Sequence, residues 1–105
     1  MQILVNTDSN IEGGEKLTGR VESVVESALK RFSDRITRVE VHLSDQNGDK
    51  SGQDDKRCTM EARLKGRRPT AVTHDAATLD QAVDGAADRI QRSIGSALGR
   101  LQDQG

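Results

Sequence analysis

The stretch Lys56-Arg57-Cys58-Thr59-Met60-Glu61-Ala62-Arg63-Leu64-Lys65-Gly66-Arg67-Arg68 decides the fold. Its even positions Cys58, Met60, Ala62 and Leu64 are apolar, and its odd positions Arg57, Thr59, Glu61, Arg63 and Lys65 are polar. A period of two puts one face of a strand in a core and the other in water. The wet face is basic, because residues 56–68 hold six Lys/Arg against one acid, Glu61.

Upstream, Ile36 to Leu43 alternates in the same way. Val39, Val41 and Leu43 face one side, and Arg38, Glu40 and His42 the other. The intervening 45–55 has no apolar residue and carries Asn47-Gly48 and Ser51-Gly52, which predicts a long hairpin loop. Gly66 to Pro69 turns the chain into a fourth strand over 70–75, and Gln2 to Asn6 is a short first strand. Two segments carry helical periodicity instead. Leu17, Val21, Val24, Val25, Ala28, Leu29 and Phe32 form one stripe over 15–32. Leu79, Ala82, Val83, Ala86, Ala87, Ile90, Ile94, Ala97, Leu98 and Leu101 form a second, opened by Thr78 as N-cap with Gln81 three residues on. Gly85, Gly95 and Gly99 weaken that helix, and a frayed tail is expected over 102–105.

The expected order is β-α-β-β-β-α. This is an α+β two-layer sandwich, with a four-stranded, mainly antiparallel sheet and two helices packed on one face. At 105 residues it is a single domain, 1–105. Arg38, Glu40, His42, Arg57, Arg63 and Lys65 are placed on the other face.

Charge is the main functional signal. The chain has a formal net charge of −1, with 16 Lys+Arg and 17 Asp+Glu. Lys30, Arg31, Arg35 and Arg38 stand against Asp34 alone, so residues 30–38 and 56–68 together hold ten cations and two acids. The remainder holds six cations and fifteen acids, and folding that joins the two segments makes the molecule bipolar.

Other chemistry is thin. Asp45, Asn47 and Asp49 match the opening of a calcium loop, but Lys50 replaces the turn glycine and Lys56 the bidentate Glu. Cys58, the lone cysteine, reads as a core residue and suits a reducing cytoplasm. No nucleophile–base spacing, phosphate-cradling loop or metal set is present, so neither enzyme activity nor a cofactor is expected. Phe32, the sole aromatic, belongs to the core stripe, which disfavours base stacking and leaves contact with an RNA backbone. No leader or membrane-spanning run is expected.

Two stretches carry a family resemblance. Leu29-Lys30-Arg31-Phe32-Ser33-Asp34-Arg35-Ile36 with Val39-Glu40-Val41-His42-Leu43 is one. Leu79-Asp80-Gln81-Ala82-Val83-Asp84 with Asp88-Arg89-Ile90-Gln91-Arg92 is the other. In this order they resemble the ribosome hibernation-promoting factor and ribosome-associated translation inhibitor family, which is sigma-modulation-protein-like, in its short form. The resemblance implies a non-enzymatic, cytoplasmic stress and stationary-phase factor, monomeric and free of membrane or small-molecule partners. It would occupy the decoding channel of the small ribosomal subunit and grip ribosomal RNA.

By matching positions, Lys30, Arg31, Arg89, Arg92 and Arg100 take the RNA-binding role. Charge and strand parity add Arg35, Arg38, Arg57, Arg63, Lys65, Arg67 and Arg68. The end of the second helix departs from the family pattern, since only Arg100 is basic there. The alternative is therefore a diverged protein-interaction or regulatory module of the same fold that no longer binds ribosomes.

Overall fold

The computed structural model describes the backbone of residues 1–8, 11–46 and 55–104, and side chains up to residue 99. Strands β1 (Gln2–Thr7), β2 (Ile36–Asp45), β3 (Lys56–Leu64) and β4 (Thr70–Ala76) form one sheet in the order β1-β2-β3-β4. Helices α1 (Glu15–Leu29) and α2 (Leu79–Gln104) cover one face.

The alternation in β3 is realised in full. Cys58, Met60 and Ala62 are 0% exposed and Leu64 is 6%. Across the ladder Val39 pairs with Ala62, Val41 with Met60 and Leu43 with Cys58, so β2 and β3 turn their apolar sides to the same core. Leu17, Val21, Val25 and Leu29 of α1 recur every four residues and close that core from above. Ala82, Val83, Ala86, Ala87, Ile90 and Ile94 of α2 do the same beside them.

Four details refine or correct the expectations. First, the sheet is mainly antiparallel as expected, and its one parallel pair is β1 with β2, with Ile3 opposite Val39 and Val5 opposite Val41. The cause is α1, which carries the chain back to the starting end of β1, as a parallel pair requires. Second, α1 stops at Leu29, and a 3₁₀ segment spans Lys30–Arg35. Its tighter winding turns Phe32 off the buried stripe to a half-buried position beside the core.

Third, β3 ends at Leu64, so Lys65 sits in the turn and not on the sheet face. That turn carries Gly66 at φ 68°, the left-handed backbone that a type II turn requires there. Fourth, the hairpin loop is narrower than 45–55. Asp45 ends β2, and the Gln46 amide donates to the Asp55 carbonyl at 2.8 Å. Residues 47–54 lie outside the described ones.

The Thr78 cap is present, its hydroxyl accepting from the Gln81 amide at 3.1 Å. From there α2 runs helically to Gln104, past the expected end at 101 and through most of the expected tail. One of its glycines is explained by what faces it. A side chain on Gly85 would run into the His74 ring. His74, half-buried at the helix side of β4, packs directly on the helix backbone. Gly85→Ala is therefore expected to destabilise by roughly 1–3 kcal/mol, as overpacking does. In urea melts, His74→Ala should recover most of that loss, because the pair shares one space. Full additivity of the two changes would contradict the contact.

Candidate nucleic-acid interface

The twelve cations expected to bind RNA do not form one surface. They divide into an exposed end, a charge-balanced sheet face and a set tied into the fold.

At the end, three elements meet. The Lys65 amide donates to the Arg35 carbonyl at 2.9 Å, joining the β3–β4 turn to the 3₁₀ segment. Arg67 donates through Nη1 to the Ala97 carbonyl at 3.0 Å, joining the same turn to α2. Phe32 and Arg31 reach α2 at Gly95, where a Cβ would lie 3.4 Å from the Phe32 ring and 3.6 Å from Arg31 Nη2. Gly95 and Ala97 are two residues apart and so face different sides of the helix. The 3₁₀ segment and the turn thus flank α2 on two sides. Lys30, Arg31, Arg35, Lys65, Arg67 and Arg68 are all exposed here. Among the described residues none of the six is in an ion pair with a carboxylate. Asp34 is the one acid within residues 30–35 and 65–68, which hold them.

The open sheet face looks basic in the sequence of β3 and is not basic in space. Arg38 lies opposite Arg63 and Glu40 opposite Glu61, two like-charge pairs that would destabilise the ladder alone. Relief comes along each strand. Arg38 reaches Glu40 at 3.5 Å, and Arg63 lies 3.9 Å from Glu61. Arg38 Nε is buried with no hydrogen-bond partner in the structure. At the far end of β3, Arg57 donates to both carboxylate oxygens of Asp75, at 2.8 and 3.2 Å. Lys56 Nζ sits between Asp45 at 3.3 Å and Asp55 at 3.1 Å. A lysine ammonium thus occupies the neighbourhood of Asp45, where a calcium loop would place its ion.

The Arg57 guanidinium holds the Asp75 carboxyl below the usual carboxylate range, by its hydrogen bonds first and its charge second. A depressed carboxyl contributes stability above its unfolded pKa and loses it as pH falls through the folded one. The contribution of this pair should be constant at neutral pH and disappear in acid, below the ordinary range. Asp75→Asn should flatten that limb of a stability-against-pH curve and leave the region above pH 6 parallel to the parent. An unchanged acid limb would show that the pair is not coupled to folding.

On α2 Arg89 and Arg92 both have partners within the fold. Arg89 donates to the Thr73 carbonyl at 3.0 Å, which covers part of the free edge of β4. Arg92 pairs with Asp88 at 2.9 Å, one turn earlier. The side chain of Arg100 lies outside the described ones. Cys58 has no chemical role to offer, since burial pushes its thiol up to about 12. Among the described residues no group of three or more His, Cys, Asp or Glu is placed to hold a metal ion. No described helix is long and apolar enough to cross a membrane.

The exposed end was legible in the sequence only as charge. Its assembly depends on the β2–β3 register and on the turn at Gly66.

Comparison with known proteins places the chain. Residues 4–102 match the model of the sigma 54 modulation protein / S30EA ribosomal protein family. No curated protein sequence matches. Among solved structures, the N-terminal domain of Protein Y from Thermus thermophilus superposes with a TM-score of 0.72 at 23% identity, over 90% of this chain and 96% of that one. A ribosomal subunit interface protein from Coxiella burnetii superposes with a TM-score of 0.70 at 13% identity, over 94% and 99%. At these identities the two structures establish the shared fold. The family match spans nearly the whole chain, and the chain belongs to the sigma 54 modulation protein / S30EA ribosomal protein family.

Proposed function

We propose that the protein is a non-enzymatic, cytoplasmic translation inhibitor that binds the small ribosomal subunit through ribosomal RNA. The exposed end formed by Lys30, Arg31, Arg35, Lys65, Arg67 and Arg68 is its main contact. The observation that carries this reading is the convergence of six cations from two segments, none of them neutralised by an ion pair among the described residues. Phosphate contacts of this kind supply most RNA affinity and position a protein without reading sequence. Arg38 and Arg63 adjoin that end on the sheet and serve as flanking contacts. Arg57, Arg89 and Arg92 act mainly within the fold, and Arg100 is a further contact by the family resemblance alone. A bound chain at this site would exclude messenger and transfer RNA by occupancy, as a monomer and without chemistry.

Sedimentation of the protein with small subunits at 50 and 200 mM salt, on the order of those used to read counterion release, tests the reading. About six phosphate contacts predict a loss of roughly a thousandfold in affinity over that range. Absence of co-sedimentation at the lower salt would sink the proposal.

One observation favours a second reading. Asp80, Asp84 and Asp88 recur at four-residue spacing along the exposed side of α2, an acidic face that would repel RNA phosphate. A protein-interaction module of the same fold would present such a face. Recovery of one protein partner, undiminished by nuclease, together with no ribosome binding, would select it.

A further inference from the structure

We infer that Arg31, stacked on Phe32, is a platform for an unpaired RNA base at the basic end. The inference rests on the RNA-binding reading above and specifies which form of RNA the end prefers.

The guanidinium carbon of Arg31 lies 4.7 Å from the centroid of the Phe32 ring. The ring is half-buried beside the core, released from the apolar stripe by the change from α to 3₁₀ winding at Lys30. Its other neighbour is Gly95 of α2, where a Cβ would meet the ring at 3.4 Å and Arg31 Nη2 at 3.6 Å, ordinary contact distances that place the pair against the helix. Three features follow from that geometry. The aromatic ring is fixed by the core, the guanidinium is held against it, and the Arg31 side chain remains solvent-exposed.

A guanidinium held this way differs from a mobile surface cation. Its plane is an aromatic-like surface on which an unstacked base can lie, and its charge stays available to the phosphate beside it. Lys30 and Arg35, on the same 3₁₀ segment, supply the phosphate contacts on either side of that base. Neither residue carries an ion pair among the described residues, so RNA contact does not require breaking one. In a duplex the bases are stacked on one another and unavailable, so the platform favours single-stranded or looped RNA. It reads no sequence, because every base has a face to stack.

The test is Arg31→Lys, which keeps the charge and removes the plane. Binding of a labelled 12-nucleotide oligoadenylate and of a 12-base-pair RNA duplex would be measured by fluorescence anisotropy at several salt concentrations (oligomer lengths of roughly the site sizes of single-strand binders). The platform predicts about a tenfold loss of affinity for the single strand, within the range for one stacked base. Duplex affinity should change less than about twofold, and both salt slopes should be unchanged, since the phosphate contacts are kept. Phe32→Leu, which keeps an apolar residue at the core edge, should give the same selective loss. Equal losses on both RNAs, or none on either, would overturn the platform and leave the charge-based reading standing. Failure of the parent protein to bind either RNA at low salt would overturn both.

Discussion

Replacing Arg35, Lys65 and Arg68 together by Gln is expected to lower affinity for the small subunit by a factor of about 10² to 10³ near 0.1 M salt. The same change should reduce the slope of log affinity against log salt by roughly two to three. The three residues come from two elements and meet through the hydrogen bond between the Lys65 amide and the Arg35 carbonyl. All are exposed, and none has an ion-pair partner among the described residues, so their removal should leave the melting temperature nearly unchanged. The control is Arg38→Gln with Arg57→Gln and Arg63→Gln, which removes the same formal charge from the sheet face. Those arginines already neutralise Glu40, Asp75 and Glu61. The control should cost far less affinity and leave most of the salt slope in place. Equal losses from the two triples would mean that net charge, and not its placement, governs binding.

Met60→Ala should destabilise the protein by roughly 2–5 kcal/mol, the largest single-site loss of stability expected here. Met60 is 0% exposed, faces Val41 on one side and Val72 on the other, and lies on β3, an inner strand of the sheet on which α2 packs. Its removal leaves a cavity in a core whose buried side chains are all aliphatic or sulfur-bearing. At this chain length each kcal/mol moves the midpoint by roughly 4–8 °C, so thermal unfolding should be plainly shifted. Thr59→Ala, one residue away on the open face, should cost no more than its hydroxyl contact with Thr73 at 3.2 Å. Similar effects from the two neighbours would refute the assignment of faces in β3.

The faces of β2 and β3 were legible because period two is a local signal that burial enforces. One slip in register would turn Cys58, Met60, Ala62 and Leu64 outward together. The direction of β1 was encoded differently. It follows from a helix between two neighbouring strands, which is a statement about connection and not about any residue in β1. The break at Lys30 was hidden because Phe32 fits the α-helical stripe by spacing alone.

The functional surface was the hardest part to read. Counting charge over 56–68 treats Arg57, Arg63 and Lys65 as equivalent. Their surroundings differ: Arg57 meets Asp75 from β4, Arg63 meets Glu61 of its own strand, and the Lys65 amide meets the Arg35 carbonyl while its ammonium has no ion-pair partner among the described residues. Only the register and the turn decide which cation is neutralised and which is left for a partner. The strand Lys56–Leu64 is thus a core element with a balanced outer face, and the free charge lies just beyond it.

The most direct test is lysine acetylation footprinting of the protein, free and bound to small subunits. Lys30 and Lys65 should react in the free protein and be protected in the complex. Lys16, exposed on α1 away from the basic end, should react equally in both states. Protection of Lys16 with Lys30 and Lys65 still reactive would contradict the placement of the RNA contact at this end.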